Sequence, residues 1–524
     1  MKQLGLLIAG AAAAMVTTAP PAARADNQAQ APAANPSVAE VLDKVRQAVG
    51  HERLTRFAPA FAISERDAEG AVHELQFGTG GGELRNGTEF IHDGRLAWQW
   101  DSRRGMMVPS PLRQREKAAW PLWVRGHWWL DPRSGFHARV AAERSSAAEV
   151  AVELSLAGGV VGATVFIDRT SWLPLRVVVP YERGPYTLLL RDYRNVNGVL
   201  FPFDVESTYR GTNRRTVQSV VRLASTADFV RPPLPADHRF DPRRPAALTT
   251  RAGAPFANGT PGHVYVRGSV DDGREGWWHF DSGADSSIID ESVAEAMGME
   301  VIGTHRSMGA DGNVREGTWR RARSLTIGRI RIERPVFRAL DLSANNAPPG
   351  ERRMGTLGYD LFARAVVEYG QGGRFVRICD PAGYRLPRGA QWQRLQHIDS
   401  TPAFPGVAEG RLGLFQLDTG TSGSIEFMPS FFQPAGLLRN RETRRVNVAG
   451  SGGSFPVELG RVSEFRLGGA VFTDVEAAFR TGGISREGSA GTVGREVLDR
   501  FTMVFDYPNQ RLAFLPAGRS GSCS

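Results

Sequence analysis

Phe280-Asp-Ser-Gly-Ala284 recurs 137 residues later as Leu417-Asp-Thr-Gly-Thr421, and this pair decides how the chain is read. The match is one of five in the same order. Gly273-Arg274 returns as Gly410-Arg411, again at 137, and Gly355-Thr-Leu-Gly-Tyr-Asp-Leu-Phe362 as Gly491-Thr-Val-Gly-Arg-Glu-Val-Leu498, at 136. Leu325-Thr-Ile-Gly328 pairs with Phe465-Arg-Leu-Gly468 at 140, and the apolar runs that open at Ala365 and Phe501 close the series. Five matches at a near-constant offset describe a duplicated domain. Each copy holds short apolar runs between Gly-rich turns, which predicts an all-β lobe with a core of its own.

In each copy an Asp follows an apolar strand, 277–280 or 412–417, and precedes Ser/Thr-Gly. The hydroxyls of Ser282 and Thr419 can donate across a dimer-like interface. Gly283 and Gly420 allow close backbone approach and an amide donor to the carboxylate. The later segments 355–358 and 491–494 are small enough to pass beside the Asp loops. Two carboxylates held at hydrogen-bond distance share one proton and titrate as a unit. That points to Asp281 and Asp418 as a catalytic pair. The ionised partner draws a proton from a water between them, and the protonated partner donates to the forming oxyanion. Thr421 follows Gly420 where Ala284 follows Gly283. Its hydroxyl would stabilise a charged Asp418, so Asp418 is expected ionised and Asp281 protonated.

Apolar-Asp-Thr/Ser-Gly-Ala/Thr, followed some 70 residues on by apolar-Gly and an apolar strand, is similar to aspartic peptidases of the pepsin and retropepsin kind. The resemblance covers 259–517, about half the chain. It implies a two-lobed β fold on a six-stranded base, with one catalytic Asp from each lobe and no cofactor or metal. Both halves of the site sit in one chain, so no oligomer is required. It further implies an extended peptide or protein substrate under a mobile hairpin. The candidate flaps are 307–317, with Gly309 and Gly312, and 446–457, with Gly450 and Gly452. The first lacks the flap Tyr of pepsin-like enzymes, which favours a retropepsin-like cleft. His279 stands where an apolar residue is usual, and reads as a packed or solvated side chain.

Ahead of the repeats, alternating segments at 71–77, 89–100, 149–157, 160–168, 173–179 and 186–196 predict an antiparallel, β-rich α+β domain over 37–228. Val38, Val41, Leu42, Val45 and Val49 predict a helix ended by Gly50. Trp120, Trp123, Trp128 and Trp129 fall in a helical or irregular insertion. Phe166-Ile-Asp-Arg-Thr-Ser-Trp-Leu-Pro-Leu175 and Asp192-Tyr-Arg-Asn-Val-Asn-Gly-Val-Leu-Phe-Pro202 resemble periplasmic lipoprotein-carrier domains. That likeness implies contact with lipid or a lipidated peptide; an unrelated β-rich covering domain, or a removable pro-segment, is the alternative. Six prolines over 229–258 predict a surface linker between this domain and lobe 1 at 259–382. Lobe 2 follows at 383–517, and 518–524 form a tail.

The N-terminus reads as a secretory signal over 1–25, followed by a flexible leader over 26–36. Lys2 supplies the charge, 4–16 the apolar run, and Ala23-Arg-Ala25 the cleavage site. A periplasmic or secreted protein is expected, an uncleaved anchor being the alternative. Export permits a disulfide, and Cys379 and Cys523 each follow equivalent strands. A bridge between them and two separate thiols both stay open. Composition excludes other classes. Hydrophobic content of 41% and charged content of 23% are ordinary for a globular protein. The net charge of +9 comes almost wholly from scattered Arg, since lysine occurs only at 2, 44 and 117. No basic, aromatic-interleaved cluster suggests nucleic acid, and no Cys/His grouping suggests a metal. A peptidase-like peptide binder and a structural envelope protein are the rival readings.

Overall fold

The computed structural model describes residues 36–57, 60–67, 69–78, 83–86, 89–93, 96–156, 159–181, 184–223, 233–255, 262–343, 347–450 and 453–523. The signal segment, nearly all of the leader, parts of the Pro-rich stretch and Gly452 lie outside these residues.

The N-terminal region is one thirteen-stranded sheet, antiparallel at every pairing that joins its strands. Strand Ala60–Asp67 pairs with Thr212–Leu223, and the chain meanders outward from that junction on both sides. The predicted strands appear as Val72–Gly78, Glu149–Leu156, Ala163–Asp168, Pro174–Val179 and Tyr186–Val196. The segment 89–100 is not one strand. It is a hairpin of Phe90–Asp93 and Ala97–Asp101, with Ile91 opposite Trp98. The Asp93 carboxylate accepts from the Leu96 N–H at 2.7 Å and turns the chain.

Helix Val38–Val49 is capped by the Ser37 hydroxyl at one end and by left-handed Gly50 at the other. Its Val41, Val45 and Val49 are fully buried against the sheet. Helix Leu112–Arg125 links the two edge strands, Met106–Pro109 and Phe136–Val140. It brings Trp120 and Trp123 into the same core, where the Trp120 indole donates to Val161 O at 2.8 Å. Burial of side chains of this size stabilises by about 1.5–3 kcal/mol each.

Within 233–255, the described part of the Pro-rich stretch, most residues are exposed or half-buried, and two short segments join lobe 1. His238–Phe240 pairs with Ile330–Glu333, and Thr250–Ala252 with Val264–Val270. The prolines fall outside both short strands, so none removes a ladder donor.

The two repeats fold alike. In lobe 1, strands Arg274–Phe280, Arg353–Leu357, Ile288–Asp290, Val336–Leu340, Val314–Arg321 and Glu300–Met308 lie side by side in that order. Lobe 2 repeats the order with Arg411–Leu417, Gly491–Val493, Ile425–Phe427, Ala470–Arg480, Gly453–Leu467 and Arg444–Gly450. In both, the strand that leads into the Asp runs parallel to the Gly-rich strand.

A sheet shared by both repeats joins them. Val366–Gly370 pairs antiparallel with Phe501–Asp506, with Val367 opposite Phe505. Among the described residues this base has five strands rather than the six that the resemblance implied. Beyond its edge strand, Phe375–Cys379, residues 246–248 bond to Ile378 N and Val376 O without forming a strand. Pro245, just before them, has no N–H to extend the ladder. Cys379 is joined to Cys523 in a disulfide, with Cα atoms 5.5 Å apart, which ties this edge to the C-terminal segment.

Candidate active site

Side chains alternate along the strands that lead into the two Asp loops. Trp278 and Phe280 are fully buried in the lobe core, as are Phe415 and Leu417 in lobe 2. His279 and Asp281 therefore share the opposite face, as do Gln416 and Asp418. Each Asp N–H is tied to its own Gly-rich strand, Asp281 to Leu357 O at 3.1 Å and Asp418 to Val493 O at 3.0 Å.

The loops then lock to each other. Ser282 N donates to Thr419 Oγ1 at 2.9 Å, and Thr419 N donates to Ser282 Oγ at 3.0 Å. The same hydroxyls donate onward to carbonyls of the opposite lobe, Ser282 to Leu417 O at 2.8 Å and Thr419 to Phe280 O at 3.4 Å. Every donor here is buried, and every one is satisfied across the interface.

Gly283 N and Gly420 N each donate to the Oδ1 of their own Asp at 2.8 Å. A Cβ at Gly283 would collide with the Asp418 carboxyl group, and a Cβ at Gly420 with that of Asp281. Each glycine is thus the floor under the other lobe's acid. Gly358 and Gly494 approach the loops as closely. A Cβ on Gly358 would lie 2.7 Å from Ala284 O, and one on Gly494 2.8 Å from Thr421 O.

Asp281 and Asp418 come within hydrogen-bonding reach of each other. Burial, and then the Asp418 charge, hold the Asp281 carboxyl well above the usual carboxylate range, so it keeps its proton. The Thr421 hydroxyl donates to Asp418 Oδ2 at 2.9 Å, the bond expected from the sequence. A proton on one acid and a donor on the other suit a pair that holds a single proton.

The surroundings of the two acids differ. Behind Asp281, His279 Nδ1 lies 3.8 Å from Asp281 Oδ2 and accepts from Arg353 Nη2 at 3.2 Å. Both side chains are buried, and burial keeps the imidazole neutral. His263 packs on His279 with ring centroids 4.3 Å apart and planes tilted by 48°, and is pushed down to about 4, chiefly by burial. At the matching places of lobe 2 stand two uncharged residues, Gln416 and Ser489, 3.4 Å apart. His279 is therefore packed, as expected, but packed against a cation.

Residues that the repeat did not single out complete the surroundings. Thr401 Oγ1 donates to Gly283 O at 3.2 Å. Tyr507, fully buried beside Tyr359, His397 and Phe362, is close enough to feel both acids. Its hydroxyl has no hydrogen-bond partner among the described residues. Arg495, equivalent to Tyr359, donates across the lobe interface to Tyr369 Oη, Gly262 O and Gly372 O. The 136-residue offset would have flagged Arg353 and Arg495 as charged members of otherwise matching pairs; nothing in the sequence points to Thr401 or Tyr507.

Both candidate flaps are hairpins, Glu300–Met308 with Val314–Arg321 and Arg444–Gly450 with Gly453–Leu467. Gly309 and Gly312 form the tip of the first, where Gly312 N donates to Gly309 O at 3.0 Å. That tip crosses to lobe 2: Ala310 O accepts from Arg480 Nη1 at 3.1 Å and from Ile484 N at 3.3 Å. Gly450 lies against the Ala310 side chain.

Two regions of the chain, 266–361 and 405–497, match a family model described as aspartyl protease. Both Asp loops fall within these regions, one in each. A comparison with curated proteins finds no match.

Proposed function

Because the C-terminal half of this chain is an aspartic-peptidase domain with duplicated lobes, we propose that the protein is an exported endopeptidase that cleaves peptide bonds with Asp281 and Asp418. The observation that carries this reading is the mutual lock of the two loops. It spends two buried hydroxyls and two glycines to bring two acids together, an arrangement costly to hold unless the pair is used.

In the proposed mechanism a water sits between the carboxyl groups. Asp418, supported by Gly420 N and Thr421 Oγ1, acts as the ionised partner and takes a proton from that water. The hydroxide formed attacks the carbonyl carbon of an extended peptide. Asp281 gives its proton to the oxygen as negative charge develops there. The proton taken up by Asp418 passes to the leaving nitrogen as the carbon–nitrogen bond breaks, and one hydroxyl of the intermediate returns a proton to Asp281. Met308 and Val314, exposed at the base of the first flap tip, offer apolar contact to substrate side chains. Export is supported by the signal-like N-terminus and by the disulfide, which suits an oxidising compartment.

The test is cleavage of a mixed peptide library from pH 3 to 8 by the intact protein, by Asp281→Asn and by Asp418→Asn. Either substitution is expected to lower kcat by about 10³-fold or more. Cleavage that survives either one would reject a shared dyad, and no cleavage by the unaltered protein would leave a peptide-binding role.

A further inference from the structure

The Asp281 loop continues as Ala284-Asp-Ser-Ser287, and its far end is not held by the peptidase lobes alone. The N-terminal hairpin Ala97–Asp101 with Met106–Pro109 reaches into lobe 1. Met106 and Val108 are buried in the same core as Trp278, Phe280 and Phe337. At the tip of the hairpin, Arg104 Nη1 donates to Asp285 O at 3.1 Å and lies 3.5 Å from Asp360 Oδ1. Its Nε donates to Asp101 Oδ2 at 2.8 Å, so the guanidinium is fixed from its own domain while it grips the next. The side chain is only 8% exposed, which leaves little water to substitute for these partners.

Asp360 is the second hand of this clamp. Its other oxygen accepts from Ser287 N, and its carbonyl accepts from Arg364 Nη1 at 2.7 Å. Arg364 in turn contacts Met106 Sδ at 3.5 Å. Residues 285 and 287 are therefore both held by a network that starts in the N-terminal domain. The matching loop of lobe 2 is held from within its own lobe. Ser424 Oγ donates to Glu476 O, and Gly494 N donates to Ser424 O at 2.8 Å. The N-terminal domain also touches lobe 2, through Asp93 with Arg394 at 2.6 Å and through Arg113 with Glu487. Those contacts lie on the surface and away from the Asp418 loop residues 418–424.

We propose that Arg104 is a positioning residue for Asp281, and that the N-terminal domain is a permanent part of the catalytic framework rather than a detachable pro-segment. The proposal rests on the peptidase reading for its kinetic consequence, but not for its structural one. A buried guanidinium that loses its place frees the Asp285 carbonyl and leaves the Asp360 charge without its cation. The far end of the loop then relaxes, and the slack reaches Asp281 through Gly283, whose amide bonds its carboxylate.

The experiment uses the full chain carrying Arg104→Met, with Arg104→Lys and Asp360→Asn beside it. Amide exchange of 283–288 is expected to accelerate in Arg104→Met while that of 420–425 stays as in the unaltered protein. Its kcat is expected to fall about 10- to 100-fold with KM nearly unchanged, and Arg104→Lys is expected to recover part of that loss. Should Arg104→Met fail to fold, Asp360→Asn, which keeps an acceptor for Ser287 N but removes the charge opposite Arg104, must show the same one-sided exchange. Equal exchange in both loops, or unchanged kcat in Arg104→Met, overturns the proposal. If the unaltered protein cleaves nothing, the peptidase reading fails, and the exchange comparison still decides whether Arg104 holds the loop.

Discussion

The two Asp loops share one hydrogen-bonding skeleton and differ in what stands behind it. In both, a glycine amide meets the acid at 2.8 Å, a hydroxyl crosses to the other lobe, and a Gly-rich strand passes alongside. Behind Asp281 stand His279 and the Arg353 cation; behind Asp418 stand Gln416 and Ser489. Beside Asp418 is a hydroxyl donor, Thr421, where lobe 1 has Ala284. Duplication thus kept the geometry that brings the acids together and let the electrostatics diverge. A pair sharing one proton has two roles to fill, and unlike surroundings assign them.

The largest effect expected on this comparison comes from its shared part. Gly283→Ala and Gly420→Ala each drive a methyl group into the opposite acid, so each should lower kcat by about 10²-fold. Steady-state kinetics on the two variants should give similar losses, and a strong inequality would break the symmetry of the floor. The mutual lock is the next test. Thr419→Val removes the acceptor for Ser282 N, and Ser282→Ala removes that for Thr419 N. Each leaves a buried amide unpaired at a cost of about 1–3 kcal/mol. Chemical denaturation should show both, provided the lobes unfold as one transition.

The smallest effects sharpen the difference between the lobes, and they are read in the pH–rate profile. Activity needs Asp281 protonated, so it is lost as pH rises through the raised value of that carboxyl group. The Arg353 charge opposes this proton. Arg353→Met should therefore move the basic limb to higher pH, by about one unit, while Ser489→Ala, its lobe 2 counterpart, leaves that limb in place. Thr421→Val takes a hydrogen-bond donor from Asp418 and leaves the Asp281 side untouched, so kcat should fall about tenfold or less with the basic limb in place. A basic limb that stays put in Arg353→Met, or moves in Thr421→Val, would mean that the local groups do not assign the roles.

Much of this was legible in the sequence because a duplicated motif carries its own control. A lone Asp-Ser-Gly is a turn, but two at a fixed offset, each trailed by a Gly-rich strand, require a common geometry. The passage of a Gly-rich strand beside each Asp, and the bond from Thr421, followed from those residues. The hairpin inside 89–100 was legible in Asp93-Gly94, a turn pair inside an otherwise alternating run, and the reading of a single strand passed over it. The pairing of the Pro-rich stretch, read as a surface linker, with lobe 1 was missed because short strands of three residues leave no periodic trace.

What the sequence determined by itself is the repeat: two β lobes, one acid from each, and the small and hydroxyl residues that such a meeting needs. Those are local requirements, met within a few positions of each Asp, and so they are written locally. Only the tertiary structure decided that Arg353 stands behind His279, that Tyr507 is buried against Tyr359 and His397, and that Arg104 clamps the Asp281 loop. These partners come from 74 positions away in the first case and from 181 in the last. Contacts over such distances leave no pattern in one chain, because burial and charge pairing depend on what folding brings near and not on spacing along the backbone.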